Sequence, residues 1–80
     1  MKQLRAVWIL SREERSEGGT VLAVFGSRPT QRKVAETLKP YATTVGESPE
    51  AIAAAVWKHG KWTEPRHGVD SYTLVRWKLS

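Results

Sequence analysis

The absence of cysteine most constrains how this chain can fold. Without disulfides or thiolate-bound zinc, a domain of 80 residues must be held together by its apolar side chains. Four tryptophans, two tyrosines and one phenylalanine supply much of that apolar area. We therefore expect one domain, residues 1–80, with a small core in which each large side chain matters.

Two β-strands are predicted in the first third of the chain. Residues 4–11 alternate between an apolar face and a face that is half apolar, so this strand should be central or partly covered on both sides. The charged segment 12–19 ends in two glycines, which is typical of a hairpin loop, and residues 20–25 are rich in β-branched and aromatic side chains. We expect an antiparallel hairpin.

A first helix is predicted after the second strand. Ser27 is the expected N-cap, because serine is favoured at that position. Pro29 then lies in the first turn, where a backbone N–H would make no hydrogen bond within the helix and proline is tolerated. Pro40 disfavours helical structure in the residue before it and predicts the end of the helix. An apolar stripe with helical spacing consists of Val34, Leu38 and Tyr41, the last of which follows Pro40 directly.

A second helix and a last strand complete the predicted fold. Ser48, Pro49 and Glu50 form a cap, a first-turn proline and an acid that mark a helix start, and Gly60 is suited to its end. Residues 71–79 alternate as a strand, and the segment before them is irregular. The predicted class is α+β, with a three-stranded antiparallel sheet in the order β-β-α-α-β and both helices on one face.

A group of cations at the start of the first helix is the main functional signal. Arg28, Arg32 and Lys33 lie where the helix dipole disfavours positive charge, which suggests that they bind phosphates or a carboxylate-rich surface. The alternative is an ordinary solvent-facing helix with Arg32 paired to Glu36. The formal net charge of +5 favours an anionic partner, without choosing between nucleic acid and protein.

The segment between the second helix and the last strand is another candidate contact. It places Trp62 and Arg66 among glycine and proline residues, and Trp and Arg dominate the binding energy of protein interfaces. Trp62 would then anchor a partner. The alternative is that Trp62 folds back as a lid over the small core, which a short domain needs.

The last strand offers a secondary contact face. Tyr72, Arg76 and Lys78 alternate onto one side of the strand, and we expect Arg5 of the first strand to join them. A sheet face that mixes aromatic rings with cations suits stacking of bases and neutralisation of phosphates. A solvent-facing strand with snorkelling cations is the alternative.

Catalytic and metal chemistry find little support in the sequence. His59 and His67 are the only histidines and lack the spacing of a zinc-binding pair, so no metal site is expected. No nucleophile elbow or phosphate-binding loop is present, and so short a chain rarely frames a deep cleft. We expect no catalytic residues, no cofactor and no enzyme activity. No apolar run reaches membrane-spanning or signal-peptide length, which predicts a cytoplasmic protein without a membrane partner.

The layout resembles the small single-domain proteins of bacteriophages and prophages, and among them the anti-CRISPR proteins. The resemblance is carried by the charged loop after the first strand, by residues 24–27 leading directly into a helix, and by the terminal strand from Tyr72 to Trp77. It implies a compact inhibitor without catalytic residues. Because this chain is basic, mimicry of DNA charge is not the implied mechanism.

These observations lead to one main prediction and one alternative. The main prediction is a non-enzymatic protein-binding module, an anti-CRISPR-like inhibitor that docks on a host complex, such as a CRISPR surveillance complex, and sterically blocks its nucleic-acid path. It would act in the host cytoplasm as a monomer or homodimer. The predicted contacts are Arg28, Arg32, Lys33, Trp62 and Arg66. The alternative is a small DNA- or RNA-binding protein that uses the same cations with those of the last strand.

Overall fold

A computed structural model of the chain describes residues 5–14, 18–41, 47–64 and 70–79. The elements, in chain order, are β1 Ala6–Glu14, β2 Gly18–Phe25, α1 Gln31–Leu38, α2 Pro49–His59, β3 Lys61–Thr63 and β4 Asp70–Lys78. The fold is α+β with an antiparallel sheet and two helices, as expected. No helix in the described part of the chain is long and apolar enough to cross a bilayer.

The sheet has four strands in the order β2-β1-β4-β3, and every pairing is antiparallel. The expectation of three strands was wrong because β3 is only three residues long, too short for alternation to reveal it. Trp62 pairs with Tyr72 in this edge strand. β1 is an interior strand, as its apolar face and half-apolar face indicated, and it pairs with β4 along its whole length.

The first helix begins later than predicted. Thr30, and not Ser27, is the N-cap: its side-chain oxygen accepts a hydrogen bond from the backbone N–H of Lys33 at 3.1 Å. The carbonyl of Pro29 instead accepts the indole N–H of Trp57 at 2.9 Å, which holds the preceding segment outside the helix. Tertiary contact therefore decided where α1 starts.

The second helix has the ends that the sequence predicts. Ser48 caps it through a 3.1 Å hydrogen bond from the N–H of Ala51, and Pro49 occupies the first turn. Gly60 ends it in the left-handed conformation, with φ of 82°, and donates its N–H to the carbonyl of Val56 at 2.8 Å. These local signals were sufficient because the caps involve only neighbouring residues.

The core lies on one side of the sheet, beneath both helices. Its sheet members occupy one pleat face, and the helices contribute the remaining buried side chains. The buried apolar residues are Leu10, Val34, Leu38, Ile52, Ala53, Val56, Tyr72 and Leu74. Half-buried tryptophans at positions 8, 57 and 62 pack around this cluster, so the aromatic residues do compensate for the missing disulfides.

Candidate binding surface

The register of the sheet gathers cations at one end of the strands. Ala6 pairs with Lys78 and Trp8 with Arg76, so the start of β1 lies beside the end of β4. β2 also ends here, because Phe25 pairs with Trp8, and the chain then passes through residues 26–30 into α1. We call this region the cationic end; its charged side chains are Arg5, Arg28, Arg32, Lys33, Arg76 and Lys78.

Acidic residues occupy the opposite end of the strands. Glu14 pairs with residue 70 of β4, Glu13 pairs with Ser71, and Glu64 directly follows β3. Nine residues of strand span about 30 Å at ~3.3 Å per residue, so the two charge groups lie nearly the length of the sheet apart. The only Asp or Glu ion-paired to a member of the cationic end within the described ranges is Glu36. Arg12 also lies at the acidic end, 3.2 Å from Glu14, and Glu36 and Glu50 lie beside Arg32, so the charges are partly separated along the strands.

Arg28 is held by two tryptophans. Its guanidinium carbon lies 4.1 Å from the ring centroid of Trp57 and 5.7 Å from that of Trp8, within the range of cation–π attraction. One guanidinium nitrogen also donates to the backbone carbonyl of Trp57 at 2.9 Å. Arg28 therefore connects β1, α2 and the segment before α1, and it is not a free member of a basic helix start.

Replacement of Arg28 by alanine is expected to lower the free energy of unfolding by about 1–2 kcal/mol, because it removes the stacking and the hydrogen bond together. Urea unfolding followed by circular dichroism measures this loss. Arg32→Ala is the matched control, with an expected change within about 0.5 kcal/mol because its side chain is 89% exposed. Equal effects of the two substitutions would contradict the structural role of Arg28.

The helix start itself resembles the solvent-facing alternative. Arg32 lies 3.6 Å from the carboxylate of Glu36 in an exposed pair, and the N–H of Lys33 is occupied by Thr30. A groove of about 420 Å³ runs beside this helix. It is lined by Gln31, Arg32, Ala35, Glu36, Lys39 and Glu50. Its two cations face two acids, so the groove has no preference for an anionic ligand.

The predicted contact face on the last strand does not form as expected. Tyr72 is fully buried, so the prediction that its ring is exposed for stacking was wrong. Its hydroxyl donates to the carbonyl of Tyr41 at 3.2 Å. Arg5 lies on the opposite sheet face from Arg76 and Lys78, as the pairing of neighbouring residues requires. Only Arg76 and Lys78 remain exposed on the expected side of the strand.

Trp62 fits the lid interpretation. Its ring centroid lies 6.0 Å from that of Tyr72, and the half-buried side chain packs against the core. Its pairing partner lies four residues from Arg76 along β4, so Trp62 is about 13 Å away from the cationic end along the strand. Arg66 lies outside the described residues. Of the predicted contact residues, Arg28, Arg32 and Lys33 belong to the cationic end and Trp62 lies apart from it.

The structure adds two features that the sequence analysis indicated only in part. Arg28, Arg76 and Lys78 come together around Trp8, which only the strand register reveals. The sheet face opposite the helices also exposes large apolar side chains, among them Trp77 at 59%. The half-apolar second face of β1 was the signal for the latter. No cluster of His, Cys, Asp or Glu suited to a metal ion occurs within the described ranges.

Comparison with known proteins gives no further assignment. No protein-family model matches the chain, and no curated protein or solved structure matches it.

Proposed function

We propose that the chain is a non-enzymatic binding module that docks on an acidic surface of a partner protein through its cationic end. The observation that supports this proposal is the separation of charge along the strands, with Glu13, Glu14 and Glu64 at the far end. Such polarity orients an approaching anionic surface and accelerates its association.

The local geometry of the cationic end suits a protein partner. Trp8 and Trp57 are half-buried and fix the guanidinium of Arg28, so this cation is presented at little further entropic cost. Arg76 and Lys78 extend from the neighbouring strand on the same face. A fixed arginine beside aromatic rings is a typical centre for a protein interface.

Binding of DNA or RNA remains the alternative, because several cations near one another also suit a phosphate backbone. Trp8 and Trp57 already contact Arg28 and are not free for base stacking, and the 59% exposed ring of Trp77 lies on the sheet face opposite Arg76 and Lys78. This observation favours the protein partner. Direct titration with nucleic acid between about 50 and 200 mM salt tests this alternative, because affinity for a phosphate backbone falls steeply over that range.

Reversal of two charges tests the site. Arg76→Glu/Lys78→Glu is expected to abolish capture of the partner from a nuclease-treated bacterial lysate by the tagged protein, because both side chains are exposed members of the cationic end. The double variant Lys39→Glu/Lys61→Glu removes the same charge elsewhere on the surface and should retain capture. Captured proteins are identified by mass spectrometry.

Two outcomes would contradict the proposal. Retained capture by Arg76→Glu/Lys78→Glu would remove the cationic end from the interface. Binding of a fluorescent 20-nucleotide single strand that survives about 150 mM salt, with no protein captured after nuclease treatment, would establish the alternative.

We propose more specifically that the partner is a CRISPR surveillance complex and that docking blocks its nucleic-acid path in the host cytoplasm. The support for this identity is the resemblance of the chain's layout to anti-CRISPR proteins. A plasmid-interference assay tests it: expression of the wild type should protect a targeted plasmid, and Arg76→Glu/Lys78→Glu should not. Absence of protection by the wild type against the systems tested would reject those systems as targets, independently of the binding surface.

A further inference from the structure

The sheet face opposite the helices carries an apolar surface that no described element covers. Val7 pairs with Trp77, and Ile9 lies between Val24 and Val75, so these side chains share one pleat face. We call this surface the open face; its apolar members are Val7, Ile9, Val21, Val24, Val75, Trp77 and Leu79. The last five are 49–59% exposed.

The open face is comparable with the largest apolar patches of monomeric proteins, which are often functional sites. Its three long strands form a rectangle of roughly 30 Å by 15 Å, and the protruding side chains add further surface area. Monomers rarely expose contiguous apolar patches beyond a few hundred Å². The area approaches the ~600 Å² per partner at the lower end of specific interfaces. It is therefore sufficient for a weak but specific association.

The charges that border the open face are complementary to themselves. Arg5 and Glu13 lie on this face of β1, each four residues from Ile9 and on opposite sides of it. Consider a two-fold axis that lies in the plane between the two open faces, passes Ile9 and is perpendicular to the strands. This axis would place Arg5 of each copy against Glu13 of the other. The same rotation places the cationic end of each copy over the acidic end of its partner.

We propose that the open face binds a second copy of this chain, forming a two-fold dimer of face-to-face sheets with antiparallel strands. Aligned sheets pack about 10 Å apart, which lets the central row of Val24, Ile9 and Val75 meet its own symmetry copy. A parallel arrangement would bring like charges together at both ends. The polarity of the molecule therefore selects both the partner and its orientation.

This inference does not rest on the proposed function. Arg28, Arg76 and Lys78 lie on the helix side and point away from the open face, so a dimer leaves them accessible. The dimer would display two cationic ends at opposite ends of the assembly. Loss of partner capture and loss of dimerisation are thus separate results, obtained with different variants.

Sedimentation velocity from about 1 µM to 1 mM tests the dimer, with an expected dissociation constant on the order of 10–100 µM for so small an interface. Val24→Lys should raise this constant at least ~100-fold, because the axis brings the two lysines together in an apolar contact. Thr20→Lys adds the same charge to the same strand on the other sheet face and should change it by less than about threefold. Circular dichroism confirms that both variants fold.

A charge exchange tests the orientation. Arg5→Glu and Glu13→Arg should each weaken the dimer by about tenfold, and the double variant should restore it to within about threefold of the wild type. A monomer throughout the concentration range, or a dimer insensitive to Val24→Lys, would overturn the proposal. A dimer that Val24→Lys dissociates but that the charge exchange does not restore would overturn the antiparallel arrangement.

Discussion

Replacement of Leu10 by alanine is expected to lower the free energy of unfolding by about 3–4 kcal/mol. Leu10 is fully buried at the middle of the central strand, between Ala23 of β2 and Leu74 of β4. Truncation removes its transfer free energy and leaves a cavity beneath both helices. A domain of this length has a total stability of roughly 4–12 kcal/mol, so the loss is a large fraction of it.

Urea unfolding of Leu10→Ala, followed by far-ultraviolet circular dichroism at about 1 µM protein, measures the effect below the expected range of dimerisation. Thr20→Ala is the control in the neighbouring strand. Thr20 is exposed, so its truncation should change stability by no more than about 0.5 kcal/mol. A loss below about 1 kcal/mol for Leu10→Ala would contradict a single core centred on β1.

Replacement of Tyr72 by alanine is expected to be at least as damaging, at about 3–5 kcal/mol. Tyr72 is the largest fully buried side chain in the described core. Its ring packs beside Trp62, and its hydroxyl reaches the backbone after α1 through the 3.2 Å hydrogen bond to Tyr41. The substitution therefore loosens the attachment of both β3 and α1 to the sheet.

Tyr72→Phe separates the ring from its hydroxyl. It keeps the packing and removes the hydrogen bond, for an expected loss of about 1 kcal/mol in urea unfolding. Partner capture should be unchanged, because the side chain is buried and cannot touch a macromolecule. Full stability of Tyr72→Phe together with lost capture would restore Tyr72 to the role of contact residue that its position in the sequence suggested.

The sequence was informative wherever neighbouring residues act on one another. The antiparallel pairing of the first two strands, the strand at the end of the chain and both ends of α2 follow from alternation, caps and breakers that involve residues a few positions apart. The expected loop 12–19 was wrong in extent, because residues 12–14 continue β1 and residues 18–19 begin β2 despite their charged and glycine side chains. The sequence also indicated that both faces of β1 are partly apolar, which the structure explains by a helix-covered face and an open face.

Sequence signals failed where a distant residue competes for the same group. Ser27 and Thr30 are both acceptable caps, and the indole of Trp57 decided between them by binding the carbonyl of Pro29. The sequence predicted Arg28 as part of a basic helix start. In the structure, Trp57 and Trp8 hold its guanidinium instead. Neither contact has a local signature, because the partners lie at least twenty residues apart along the chain.

The assignment of faces and ends also belongs to the tertiary structure. Period-two alternation placed Tyr72, Arg76 and Lys78 on one side of β4 but could not show that the helices bury Tyr72 and leave the two cations exposed. Composition alone determined a small basic domain stabilised by aromatic residues. Strand register brings Arg28, Arg76 and Lys78 to the same end of the sheet, because pairing joins residues that are far apart along the chain.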